Sequence, residues 1–163
     1  MSIELNLASA NNFQVIFPKL PNEEELDRKL VLYAYGSVLP AVGFTESIES
    51  WQGWEVKTIN STLQFENWNI NFSIDDKFDN WKRLFNWMAY INNNKDIGGK
   101  NWAHSAVNTS LQVFDNYERK ILEIKFNKML PVSLEEVTLS FREGETDLSS
   151  GLRLIYDYFT IVR

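Results

Sequence analysis

Few side chains in this sequence could do chemistry. Among 163 residues there is one histidine, His104, and no cysteine. Without thiols there is no disulfide, no thiolate metal site and no cysteine nucleophile. With one imidazole, every site that needs two is excluded. No base partner adjoins His104, so it reads as a surface or capping histidine. Asp75, Asp76 and Asp79 could suggest a cation loop. A calcium loop, however, spaces its oxygens at alternate positions and adds a glycine bend and a closing glutamate, all missing here. Capping of a helix explains these aspartates better. Gly98-Gly99-Lys100 suggests a phosphate loop, but the first glycine of that motif would fall on Asn94 and its hydroxyl residue on Asn101. Glu23-Glu24-Glu25 reads as a solvated face. No constellation for nucleophilic or metal catalysis results. The chain is expected not to be an enzyme, and to need no cofactor and no metal.

The tryptophans point elsewhere. Trp68 and Trp81 fall on apolar faces and read as core. Trp51 and Trp54 flank Gln52-Gly53, a bend that a monomer would leave in water. Exposed aromatic rings concentrate where a partner docks, because they bury large area at low entropic cost. The tip Glu49, Ser50, Trp51, Gln52, Gly53 and Trp54 is therefore expected to be an interface. The competing expectation is a hairpin folded back onto its own core.

The elements that must position these residues are mostly strands. Residues 13–17 read as a short strand, and Leu30 to Tyr35 as one strand apolar on both faces. Phe44 to Ser50 and Trp54 to Ile59 make a hairpin around Gln52-Gly53. Trp68, Ile70, Phe72 and Ile74 alternate with Asn67, Asn69, Asn71 and Ser73, a period of two with a polar, uncharged outer face. The period then changes. Phe78, Trp81, Leu84, Phe85, Met88 and Ile91 share one side of a helix over about residues 77–92, with Phe78, Trp81, Phe85 and Met88 expected in its core face. Strands resume with Val107 to Val113, whose polar face is Asn108, Ser110 and Gln112. They continue through Leu122 to Phe126, Val137 to Phe141, and a long last segment from Leu152 to Val162. The expected fold is mainly β: two packed antiparallel sheets, as a sandwich or barrel, with one amphipathic helix, in a single domain over 1–163.

Composition narrows the partners. Sixteen basic against 22 acidic residues give a net charge of -6, which argues against a general grip on nucleic acid. Six Trp, six Tyr and 11 Phe exclude a disordered chain. No apolar run approaches the roughly 20 residues of a membrane-spanning helix, and the first residues, MSIELNLASA, do not read as a signal peptide. No membrane anchor is expected.

Several short pieces, in order over nearly the whole chain, resemble the tail tube proteins of contractile-tailed bacteriophages. They are Asn12-Phe13-Gln14-Val15, Leu39-Pro40-Ala41, Lys57 and Ile59, and Phe65-Glu66-Asn67-Trp68 opening the strand that ends at Asp75. Phe85-Asn86-Trp87, Ile97-Gly98-Gly99-Lys100 with Ser105-Ala106, Glu123-Ile124-Lys125, Pro131 and Val137-Thr138-Leu139 follow. The hairpin tip departs from the family pattern and is a few residues longer. The resemblance implies a structural protein of the virion, made in the host cytoplasm. It implies six copies joined edge to edge into rings with a continuous β-barrel as inner wall. Rings stack into a tube inside a contractile sheath, and genome DNA passes through without specific binding. Expected partners are other copies of the chain, the tail sheath protein, and baseplate or tube-initiator proteins. The polar rows Asn69, Asn71, Ser73 and Asn108, Ser110, Gln112 are then expected to face the lumen, with the helix outside, and the hairpin tip to mediate stacking. The same fold implies three alternatives: the inner tube of a type VI secretion system, that of an extracellular contractile injection system, or a baseplate tube initiator. A Trp-rich carbohydrate-binding β-sandwich is the alternative from another class.

Overall fold

A computed structural model describes residues 12–23, 29–37, 39–94, 101–139 and 147–162. Among these residues ten strands and one α-helix follow in the order β1 (Phe13–Phe17), β2 (Leu30–Leu32), β3 (Ala34–Ser37), β4 (Val42–Trp51), β5 (Trp54–Phe65), β6 (Trp68–Ser73), α1 (Asp79–Asn93), β7 (Val107–Phe114), β8 (Lys120–Leu134), β9 (Ser149–Ile155) and β10 (Tyr158–Val162). A 3-10 turn, Asn101–Ser105, precedes β7. All pairings are antiparallel, in the order β2-β1-β7-β8-β9-β6-β3, with β10 also on β8. The result is sandwich-like rather than a closed barrel. A first sheet holds β2, β1, β7, the first half of β8 and β10. A second holds the last part of β8 with β9, β6 and β3.

β8 belongs to both sheets. It changes sheet at Asn127-Lys128, where Lys128 takes a left-handed φ of 51° and the register against β7 shifts. The Asn108 side-chain oxygen accepts the freed Lys128 N–H at 3.1 Å, so the polar group exposed by the bulge keeps a partner.

Alternation predicts the core well. Trp68, Ile70 and Phe72 of β6 and Val107, Thr109 and Leu111 of β7 all point inward, against Phe126, Leu152 and Leu154. Trp68 stacks on Phe126 across the layers, centroids 4.2 Å apart, and its indole N–H donates to Ser37 Oγ at 2.8 Å. Tyr156 and Phe159 extend this aromatic cluster, and Phe65, at the root of the hairpin, packs edge-on against both.

Three expected strands differ. The apolar stretch from Leu30 to Tyr35 is two strands broken at Tyr33, which cross from the edge of one sheet to the edge of the other; Val31, Tyr33 and Tyr35 stay exposed. Leu152 to Val162 is likewise β9 and β10 with a bend at Asp157. Residues 135–139 form no strand, although Val137 and Leu139 alternate, and Leu139 is exposed; Phe141 lies outside the described residues. Alternation marks a surface that could pair, but a strand also needs a neighbour to pair with.

The helix starts two residues later than expected, at Asp79, with Phe78 rather than an aspartate at the N-cap, and it turns a different side inward. Asp75 accepts the Asp79 N–H at 2.6 Å, satisfying a free donor of the first turn. The buried stripe is Asn80, Arg83, Leu84 and Trp87. Phe78, Trp81 and Met88 are half-buried, and Phe85 is 52 % exposed, so Phe85 does not belong to the core. Two polar anchors rotate the helix. The Trp87 indole donates to the Ser105 carbonyl at 2.9 Å while its ring meets Phe17. The Arg83 guanidinium grips Glu23 with two bonds, 2.6 and 2.7 Å. Glu23 is thus buried rather than solvated, and its neighbours Glu24 and Glu25 lie outside the described residues.

A projecting hairpin, open edges and two polar faces

Among the described residues, nothing packs along the length of the hairpin of β4 and β5. Every residue from Val42 to Gln64 is exposed. It turns at Gln52 and Gly53, with φ of 50° and 84°, the two positive values of a type I′ turn that matches the strand twist. Gly53 supplies its angle without a Cβ clash. Trp51 and Trp54 are direct cross-strand partners on one face of the tip, with Glu49 and Val56 on the next rung of that face. They are 66 % and 77 % exposed, so the tip does not fold back onto the subunit's own core. The opposite face carries Ile48 and Ile59, and Val42, Phe44 and Leu63 nearer the root are exposed as well. An isolated two-stranded hairpin is marginal in water, and three strands with an apolar face are the usual minimum. This hairpin gets its only ring contacts from the Phe65 anchor among the described residues.

Edges are open too. Among the described residues, β10 pairs with β8 on one side only, and Tyr158, Ile161 and Val162 are exposed along it. β2 and β3 end the chain of pairings. Unpaired edges of this kind template pairing with another chain.

The two polar rows are both outward, but on different sheets. Asn69, Asn71 and Ser73 lie on the outer face of the second sheet. Asn108, Ser110 and Gln112 lie on that of the first. The structure does not bring them together. Around the β7 row the rungs read Gln14–Gln112–Glu123–Val162 and Ile16–Ser110–Lys125–Thr160, and an open depression crosses this face, lined by Asn108, Ser110, Gln112, Lys125 and Tyr158. The face is not free of cations, since Lys125 stands beside Ser110. Lys120 holds the Glu123 carboxylate in an ion pair and lowers its pKa by hydrogen bonding. Helix α1 lies on the other side of this sheet, because Trp87 meets the inward Phe17.

Among the described residues, no catalytic or metal-binding cluster gathers around the remaining candidates. His104 is exposed on the 3-10 turn. Gly98, Gly99 and Lys100 lie outside the described residues. Among the described residues no cluster of three His, Asp or Glu could hold a metal ion. Among the described residues, no helix is long and apolar enough to cross a membrane.

Sequence reasoning missed one perturbed group. Tyr156, at the hairpin root, has a buried hydroxyl with no hydrogen-bond partner among the described residues. Burial, reinforced by the Glu66 carboxylate, pushes its pKa up to about 12. The neutral phenol is the form the fold prefers. Stability from this group is complete below the ordinary tyrosine value near 10 and is lost as pH rises through about 12. In a 295-nm titration one tyrosine should ionise last, and Tyr156→Phe should remove that step. The same change should raise stability by about 1 kcal/mol, since it deletes an unsatisfied buried group.

A sandwich with edges unpaired among the described residues and a projecting arm belongs to the class of folds that offer strands to a neighbour. Comparison gives the family. The phage tail tube protein family matches residues 4–149, and the chain belongs to it. Solved structures share its fold, among them the following three. A chain of the anti-feeding prophage baseplate aligns with TM-score 0.72 at 9 % identity, over 96 % of both chains. A chain of the sheath/tube terminator of an extracellular contractile injection system, PVC, aligns with TM-score 0.69 at 11 % identity, over 99 % of this chain and 100 % of that one. Hcp1 of E. coli EAEC 042 aligns with TM-score 0.52 at 11 % identity, over 93 % and 91 %. No curated protein sequence matches.

Proposed function

We propose that the chain is the building block of the inner tube of a contractile tail, with six copies per ring and rings stacked inside a sheath as a conduit for genome delivery. The observation that carries this is the β4–β5 hairpin, which is regular in geometry yet exposed along its length among the described residues. Its strands and the open edge of β10 need the same thing, a neighbouring strand. Copies of one chain supply it in a head-to-tail arrangement that closes into rings. The sheath and a baseplate or initiator are the further partners. The work is structural, without catalysis. The assembled tube is a part of the virion tail, and its subunits are made in the host cytoplasm.

The face with Asn108, Ser110 and Gln112 is the better lumen wall. It is hollowed, polar and on the side away from α1. Glu123 lies between Lys120 and Lys125 there, so passing phosphates meet an anion close to these cations. The row Asn69, Asn71 and Ser73 would then look outward, toward the sheath. An injection-system tube is the second form of the same function, supported by the fold shared with a chain of the PVC sheath-tube complex. Carbohydrate binding has less support, because Trp51 and Trp54 crown a hairpin rather than pave a flat sheet face.

Negative-stain microscopy of the purified protein, with and without an initiator, is the direct test. Rings or tubes are the expected result. Monodisperse monomers in both conditions, with sedimentation unchanged over a wide concentration range, would overturn the proposal.

A further inference from the structure

We propose that the hairpin tip of one copy seats in a groove at the hairpin root of the next. The inference presupposes the stacked copies of the tube and names the receptor of the tip. The groove has a volume of about 420 Å³ and is mostly apolar, lined by Leu130, Pro131, Ile155 and Tyr156 with the Lys128–Asp157 ion pair. It lies at the hairpin root, since Tyr156 also touches Phe65.

Three observations commit the occupant to a second copy. The first is shape and polarity: the tip is a pair of exposed indoles on one face, and the groove is an open apolar slot of suitable size. The second is charge. Glu49 stands one rung behind the Trp pair on the same face. Lys128 in the groove is more than half exposed, and its contact with Asp157 is loose at 3.4 Å, leaving it able to meet a carboxylate. The third is reach. The ten residues of β4 at about 3.3 Å each hold the tip some 33 Å from the root. A chain cannot fill its own groove, so each tip passes to the next copy and the contact repeats along an axis. Successive rings should therefore be spaced by about one hairpin length, on the order of 30–40 Å.

The contact is small. Two tryptophans bury at most some 300–500 Å², below the roughly 800 Å² per partner of a stable interface. A single tip in a single groove is weak, and copies held side by side in a ring engage together with much higher avidity.

The chain has no native cysteine, which makes a disulfide test clean. The variant carrying both Trp54→Cys and Ile155→Cys replaces two exposed side chains. Under mild oxidation it should give a ladder of covalent multimers on a denaturing gel. Each single variant should stop at dimers or below. A second pair, Trp51→Cys with Lys128→Cys, should give the same ladder. Tubes visible by microscopy with neither pair cross-linking would overturn the groove while leaving the tube intact. An axial repeat far from 30–40 Å would overturn it as well. Absence of any multimer or tube would overturn both.

Discussion

A subunit with Trp51→Ser and Trp54→Ser should fold normally and fail to build tubes. Both rings are largely exposed in the single chain, and surface substitutions away from packed features change stability by about 0.5 kcal/mol or less. Circular dichroism and thermal melting should therefore match the parent. Assembly is another matter. A central aromatic anchor contributes at least about 2 kcal/mol when buried in an interface. Two such losses raise the concentration needed for growth by roughly a thousandfold. Pelleting and microscopy at equal concentration read this directly. Undiminished tubes would remove the tip from the stacking contact. Loss of the fold would mean that the tip packs within its own subunit.

The largest effect on the subunit itself should come from Arg83→Ala. Arg83 and Glu23 are both buried and joined by two short bonds. Hydrogen bonding to Glu23 outweighs desolvation and raises the arginine pKa further above its usual value. Removing one partner leaves a buried charge without compensation, a loss of about 3–5 kcal/mol. At about 2–4 °C per kcal/mol for a chain of this size, melting should fall by about 6–20 °C. The double variant Glu23→Leu with Arg83→Met should recover most of that loss, because no charge is then stranded. A double variant as unstable as the sum of the two singles would mean that the two residues act independently, against the geometry.

These two sites show what the sequence carries and what it leaves out. Trp51 and Trp54 around Gln52-Gly53 could be placed from local pattern alone, since a two-residue turn needs only its own residues and its flanks. The alternating strands β6 and β7 were legible for the same reason: one buried face imposes a period of two. Arg83 and Glu23 lie 60 positions apart, and each looks solvent-loving alone. Only the pair can be buried, and no periodicity reports a pair. That ion pair, with the Trp87 bond to Ser105, turned the helix so that Phe85 faces out. The breaks at Tyr33 and Asp157 were hidden by continuous apolar runs, in which both faces look alike and a change of sheet leaves no mark. The two Asn/Ser rows share a composition, and composition does not say on which sheet a row will lie.

β8 is one strand shared by two sheets, and this has a mechanical meaning. Two layers held only by side-chain contact can shear past one another along the greasy plane between them. Here a single covalent chain runs out of one layer and into the other at Asn127-Lys128, stitched by the Asn108 side chain. Sliding would have to tear backbone hydrogen bonds in both layers at once. The body of the subunit is therefore stiff under a push from either end, and compliance is confined to the slender arm, whose bending stiffness is set by what it leans on.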